Sequence, residues 1–508
     1  MRKKDYFLIL ISAVLLVLSF PRFDLEPLAW VALVPFFLAI EGKSPAESGR
    51  FSFFLGFVFW LAVLFWLRLV TTVGLALLAF YLAIYFFLWG AGIKFIQKKT
   101  NFSLTFISPV LWVGLEWLRG SFLTGFPWLP LGNSQYLNLG LIQIAEFTGV
   151  YGLSFLIVAV NAALAEIFVQ VTPSWVAGGG SLKRGGLKNK WIGPLIVAVL
   201  FFICFGYGKK IFKGYEARET LKIAVIQGNI SQNIKWLDEY ENYNREIYQV
   251  LTEEAAFNRP DLIIWPETAV TVSLPQDLEW RNTLSFLAET SAGFLLVGSP
   301  YYFEERGEYF NSAFLISPEG ELKARYDKLH LVPFGEYVPK KKYFLHFFDR
   351  VFQEVGDYTP GKEKIIFEIP QGKFNVLICF EDIFPDLVRQ FTKKGSEFLI
   401  NITNDAWFGK SSAPFQHMAM GVFRAIENRR YLICCANTGI SAFISPQGEI
   451  LGEVADNKGN PLWVRGFLIQ EAGLIDKLTF YTRFGDWFAW LNLLGSGGLI
   501  AISVIIRG

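Results

Sequence analysis

Three short stretches carry side chains that together can transfer an acyl group. Trp265-Pro266-Glu267 ends an apolar run, and the proline stops that run and presents a carboxylate. Tyr326-Asp327-Lys328 opens a stretch that continues through His330 and Pro333 to Glu336. Asn375-Val376-Leu377-Ile378 delivers Cys379, and Phe380, Glu381, Asp382 and Pro385 then break the run. A strand that hands a cysteine to a sharp turn can expose a nucleophile at a sheet end. A free cysteine is also a common packing residue, so the thiol alone decides nothing. A carboxylate and a lysine at other strand ends change the reading. The thiol attacks an acyl carbon, and Glu267 takes its proton and returns it to the leaving group. Lys328 stabilises the oxyanion, a donor worth about 3 kcal/mol. A lysine beside the thiol also predicts a lowered Cys379 pKa.

The elements that must position these groups lie between Leu221 and about Trp463. Short apolar runs read as strands at 223–226, 262–265, 294–297, 314–316, 376–380, 398–402, 432–435 and 442–444. Helical patterns fall between them at 239–257, 277–291 and 418–430. This alternation predicts an α/β domain. It contains an echo: 314–322 and 443–450 both read strand, Pro-x-Gly turn, strand. Two copies of one hairpin predict a duplicated, two-layered sheet. Cys434 and Cys435 sit in an apolar run and read as packing residues.

The first 210 residues have another texture. Apolar segments recur at about 6–20, 27–41, 51–68, 73–93, 103–118, 149–170 and 191–208, and a last one spans 487–506. The whole chain of 508 residues is 53% hydrophobic and 18% charged, too apolar for a wholly soluble protein. Net charge is +2, which gives no nucleic-acid footprint. Four cysteines and three histidines show no metal-ligand spacing. Arg2, Lys3 and Lys4, and alternate loops carrying Lys43, Arg50, Lys94, Lys98, Lys99, Lys183 and Arg184, are basic. By the positive-inside rule the N-terminus is cytoplasmic, and seven crossings place the α/β domain outside. Gly178–Gly186 reads as a flexible linker. The stretch 119–149 breaks any helix while staying aromatic, so it either lies buried in protein or forms an interfacial belt.

The order Glu267, Lys328, Cys379 resembles the Glu-Lys-Cys triad of the nitrilase superfamily. With the membrane segments around it, the chain resembles the apolipoprotein N-acyltransferase family over nearly its whole length. The most specific pieces are Thr124-Gly125-Phe126-Pro127-Trp128-Leu129, Gln227-Gly228-Asn229-Ile230, Trp265-Pro266-Glu267, His330 to Tyr337, and Asn404 to Gly409. The resemblance implies a multi-pass α-helical membrane domain plus a nitrilase-like α-β-β-α four-layer sandwich. It implies Glu267 as general base, Lys328 as oxyanion donor and Cys379 as nucleophile. Glu336 is similar to a second glutamate that orients the site, and Glu381 to an acidic residue beside the cysteine. Trp236 resembles a tryptophan at the substrate entrance, and Trp128 falls in a membrane-loop motif. The family pattern reads Cys-Tyr-Glu, whereas Phe380 here has no hydroxyl.

The expected partners follow from that resemblance. They are a phospholipid acyl donor, phosphatidylethanolamine by resemblance, and a diacylglyceryl-apolipoprotein acceptor, with no metal or organic cofactor. Expected boundaries are a membrane domain at 1–213, a catalytic domain at 214–475, and a linker with a last span at 476–508. The expected location is a bacterial inner membrane with the catalytic domain outside. Two other readings use the same residues: a membrane-tethered amidase of the nitrilase type, and a binding module with an inert site. Between them, 340–354 places Phe344, Phe347, Phe348, Val351 and Phe352 on one helical face behind three lysines. That pattern predicts an amphipathic lid at the lipid surface, with Phe348 as a contact, or a face packed on the domain.

Overall fold

The structure, a computed structural model, describes residues 3–171, 191–211, 217–337 and 357–506. The candidate lid with Phe348, and the glycine-rich loop, lie outside them. The chain divides into two compact units. One comprises Met1–Gly214, Phe415–Phe423 and Phe484–Gly508, and the other Tyr215–Pro414 and Arg424–Arg483.

The first unit is helical. Among the described residues, five helices are long and apolar enough to cross a membrane: Pro45–Val63, Thr72–Lys99, Tyr151–Val171, Ile192–Ile211 and Trp487–Ile505. Their sequences start them firmly. Ser44 and Glu47 form a reciprocal capping box with Pro45 at the first turn. The Thr71 side chain accepts from Gly74 N. In Thr72–Lys99 the outward stripe Val73, Leu77, Phe80, Ile84 and Leu88 is as apolar as the buried one. That pattern suits lipid on the outside rather than water. Where this helix crosses Pro45–Val63, Ser48 Oγ donates to Gly90 O at 2.8 Å. A Cβ on Gly90 would lie 1.7 Å from Ser52 Oγ, so only glycine permits the approach.

The expected segment 27–41 is not one helix. It divides into a 3-10 turn, Glu26–Trp30, and a short helix, Val34–Ala39, with Pro27 and Pro35 in their first turns. The freed backbone groups find side-chain partners. Asn161 Oδ1 accepts from Leu33 N at 2.7 Å, and Asn161 Nδ2 donates to Ala29 O at 2.8 Å. Ser12 Oγ accepts from Phe36 N at 2.8 Å. The irregular stretch after Arg119 is exposed at 121–124, and from Gly125 to Tyr136 it is satisfied in the same way and mostly buried within the unit. Arg119 donates to Phe126 O and Trp128 O, Glu116 accepts from Leu131 N, and Ser154 accepts from Gly132 N.

The second unit is built on twelve strands. They are β1 (Thr220–Gln227), β2 (Leu262–Ile264), β3 (Phe294–Phe303), β4 (Glu308–Ile316), β5 (Leu322–Asp327) and β6 (Phe367–Ile369), then β7 (Gly372–Ile378), β8 (Phe398–Thr403), β9 (Leu432–Ala436), β10 (Ala442–Ile444), β11 (Ile450–Glu453) and β12 (Gly466–Gly473). They make two six-stranded sheets, ordered β12-β1-β2-β3-β4-β5 and β11-β10-β9-β8-β7-β6. The sheets face each other: Cys435 Sγ on β9 donates to Ile226 O and Ile264 O of β1 and β2. Helices Glu241–Ala256 and Leu278–Ser291 bury Tyr248, Leu251, Trp280, Leu284 and Leu287 on the first sheet. Helix Pro385–Lys393 packs on the second through Val388 and Phe391. The result is an α-β-β-α sandwich.

The hairpin echo is real and exact in its details of turn geometry. β1-β2-β3 and β7-β8-β9 are both parallel, and each is followed by an antiparallel hairpin. β4–β5 slips register between Leu315 and Ile316, and β10–β11 between Phe443 and Ile444. In both turns the serine N–H donates to the carbonyl four residues on. Gly320 and Gly448 take φ of 78° and 85°, a region that only glycine enters readily.

Candidate active site

The position of Cys379 is set by a strained turn. β7 ends at Ile378, and Cys379–Ile383 form a 3-10 turn that Pro385 converts into a helix. Cys379 has φ of 55°, a conformation that costs energy for any residue but glycine. Glu381 holds it there. Its Oε2 accepts from Ile378 N at 2.8 Å, and its Oε1 accepts from Leu329 N at 2.7 Å and His330 N at 3.0 Å. Tyr326 OH donates to both oxygens at 2.9 Å. One buried carboxylate thus ties the cysteine turn to the backbone that follows Lys328.

Burial pushes the Glu381 carboxyl up to about 7, against the hydrogen bonds that favour its anion. A folded-state value above the ordinary 4.5 means that the native state holds the proton more tightly. Stability from this group is therefore full below 4.5 and lost as pH rises through about 7. The melting temperature of the wild type should fall across that window more steeply than that of Glu381→Gln. Parallel melting curves for the two proteins across the window would show that Glu381 does not titrate there.

A carboxylate and a cation come from the other sheet. β2 ends at Ile264, and Trp265 anchors its end by stacking on Tyr248 at 4.8 Å and donating to Thr252 Oγ1. Glu267 follows. Its Oε1 accepts from Asn311 Nδ2 at 2.8 Å, and its Oε2 from Asn404 N at 2.9 Å. Lys328, just past β5, is 1% exposed, with Nζ 2.8 Å from Glu336 Oε1 and 3.7 Å from Glu267 Oε1. Glu336 also accepts from Asn311 Nδ2 at 3.0 Å and from Val332 N at 2.8 Å. Burial pulls the Lys328 ammonium down, but Glu336 and Glu267 outweigh it and hold it above the ordinary lysine value.

Cys379 lies in the field of both groups. Burial, and after it Glu267, push the thiol well above its ordinary value, while Lys328 pulls the other way and does not prevail. The lysine pulls in the expected direction, but the lowered thiol pKa expected from it is corrected: burial, with Glu267 after it, outweighs Lys328. By surface exposure Cys379 is only partly buried, and the site favours the thiol over the thiolate.

The structure brings Glu267, Lys328, Cys379, Glu336 and Glu381 into one site in the second unit. Phe380 is half-buried between His330 and Phe384. Trp236 ends the short helix Gln232–Lys235 and is exposed. Trp128 belongs to the first unit, 4% exposed, where it packs on Trp66, Phe126 and His417 and donates from Nε1 to Gln416 Oε1 at 2.9 Å. Sequence reasoning missed Asn311, which bridges the two glutamates. Its signal was a polar residue inside an apolar strand, Phe310-Asn311-Ser312-Ala313. Among the described residues no three His, Cys, Asp or Glu side chains cluster as a metal would need.

Paired sheets with a carboxylate, a lysine and a cysteine at their strand ends define the class. Residues 222–464 match the carbon-nitrogen hydrolase family. Residues 12–163 match the apolipoprotein N-acyltransferase N-terminal domain. Over 519 residues the chain is 40% identical to the apolipoprotein N-acyltransferase of Geobacter metallireducens, covering 99% of this chain and 95% of that one. It is 30% identical to the Chlorobaculum tepidum apolipoprotein N-acyltransferase, covering 99% and 97%. The chain belongs to the apolipoprotein N-acyltransferase family. Among solved structures it is similar to Saccharomyces cerevisiae Nit3, of the nitrilase superfamily, at 19% identity and a TM-score of 0.40, over 51% of this chain and 92% of that one.

Proposed function

We propose that this protein moves an acyl chain from a membrane phospholipid to the α-amine of an S-diacylglyceryl-cysteine on an apolipoprotein, through a thioester on Cys379. The support that weighs most is the buried Glu267–Asn311–Glu336–Lys328 cluster beside the Cys379 turn, in a chain with five helices fit to cross a membrane. In the first step Glu267 takes the thiol proton as sulfur attacks the ester carbonyl, and Lys328 donates to the oxyanion. The C–O bond breaks, Glu267 returns its proton to the leaving oxygen, and a lysophospholipid departs. In the second step the amine attacks the thioester and gives a proton to Glu267. The C–S bond breaks, the proton returns to sulfur, and an amide remains. Glu336 keeps Lys328 charged and aimed, and Glu381 fixes the cysteine turn. Phosphatidylethanolamine is the proposed donor, and its sn-1 chain the group moved.

Intact-mass measurement tests this reading. Purified protein mixed with phosphatidylethanolamine should gain one acyl mass that hydroxylamine removes, and a diacylglyceryl-cysteine peptide should then take it up. Release of free fatty acid with no transfer to the peptide would instead mean a hydrolase.

The proposed arrangement is a membrane domain at 1–213, a catalytic domain at 214–475 and a C-terminal linker and span at 476–508, in a bacterial inner membrane with the catalytic domain outside. The alternation of basic loops supports it. A periplasm-dependent reporter should be active when fused after Lys213 and silent when fused near Lys188. The opposite pattern would invert the topology and remove access to substrates on the outer face.

A further inference from the structure

Lys235 is buried, and among the described residues no carboxylate bonds to it. It closes the helix Gln232–Lys235, is 1% exposed, and is followed by the exposed Trp236. Its Nζ donates to Thr268 Oγ1 at 2.7 Å and to the backbone carbonyl of Glu267 at 3.1 Å. Both partners are neutral oxygens. Burial pulls its ammonium down to about 7, and the nearby Glu267 charge pulls it up only in part. Burying a cation against neutral groups is unfavourable, so packing alone would favour an apolar residue there.

The place where it donates is the turn that carries the proposed base. Thr268 is β-branched yet has φ of 49°, a conformation that surrounding contacts must impose. Behind the turn, a Cβ on Gly298 of β3 would lie 2.4 Å from Pro266 O and 2.8 Å from Glu267 Cα. The turn is thus pressed on β3 from one side and held by Lys235 from the other. The Glu267 carboxylate is fixed by Asn311 and Asn404, and its own carbonyl by Lys235. Asn244 Nδ2 donates to Lys235 O at 3.2 Å, which fixes the lysine to helix Glu241–Ala256.

We propose that Lys235 is a positioning residue for acyl transfer: its ammonium fixes the Glu267–Thr268 turn and couples the base to the segment bearing Trp236. This rests on Glu267 acting as the base. The lysine touches no reacting atom. It sets where the carboxylate stands when the thiol proton leaves.

The test uses full-length protein in phospholipid nanodiscs, with single-turnover acylation of Cys379 followed by intact mass. Wild type that forms no adduct would overturn the function itself, separately from this inference. Given a wild-type adduct, Lys235→Met should acylate about 30-fold more slowly at saturating lipid, as expected for loss of charged hydrogen bonds, while half-saturation moves less than about threefold. Methylammonium should restore part of the rate to Lys235→Ala, and tetramethylammonium, which has no N–H, should not. A folded Lys235→Met that acylates at the wild-type rate would overturn the proposal. So would a rate lost equally in the presence of either ammonium ion. If the lysine variants do not fold, Thr268→Val decides. It removes the hydroxyl acceptor and should slow acylation about fivefold at unchanged half-saturation. An unchanged rate in that variant overturns the proposal.

Discussion

Cys379→Ala should form no acyl adduct with phospholipid, and transfer to a lipopeptide should fall by at least about 1,000-fold, as when a covalent nucleophile is removed from a catalytic unit. The effect is large because nothing else in the site replaces the sulfur. Burial raises the thiols of Cys434 and Cys435, neighbours in β9 of which Cys435 faces the other sheet and Cys434 the opposite side. An adduct mapped to either would refute the assignment. The raised Cys379 thiol carries a second consequence. Its alkylation by iodoacetamide at neutral pH should depend on Glu267, because the site favours the thiol over the thiolate. Glu267→Gln removes a nearby charge that raises the thiol, so it should speed that alkylation while slowing acyl transfer, and an alkylation rate equal in both proteins would show that the Glu267 charge does not act on the sulfur.

Lys328→Met should be damaging twice over. The variant loses the proposed oxyanion donor, which should slow acylation roughly 100- to 1,000-fold. It also leaves Glu267 and Glu336 facing one another with only Asn311 between them. Breaking a buried ion pair from one side typically costs about 3–5 kcal/mol, and Lys328 is 1% exposed with partners nearly as enclosed. Adding Glu336→Gln removes one of the two stranded charges. The double variant should regain part of the stability and none of the rate. Thermal melts and single-turnover acylation, run side by side, separate the two effects. A Lys328→Met protein that melts like wild type and acylates within tenfold of it would remove Lys328 from the mechanism.

The local order of the catalytic unit was legible in the chain. β7 and its break at Cys379, β2 ending before Pro266-Glu267, and the twin hairpins all follow from apolar runs, proline and glycine. Strand period and turn chemistry act over a few residues, so they can be read without a fold. The segment 27–41 shows the limit of that approach. Its composition reads as a span, but two prolines divide it, and the freed backbone groups are met by Ser12 and by Asn161, more than a hundred residues away.

The site followed the same division. The sequence by itself determined which groups can do the chemistry: a carboxylate, a lysine and a thiol, each placed at a strand end by the residues around it. Their ionisation was decided only by tertiary structure. A lysine next to a cysteine suggests a thiolate, yet burial of the sulfur and the nearby Glu267 charge outweigh Lys328 and push the thiol up. Asn311, Asn404 and Lys235, which hold Glu267, come from a strand, a loop and a helix far apart in the chain. Charge and hydrogen-bond balance depend on distances of a few ångströms between such segments, and those distances exist only once the two sheets have closed on each other.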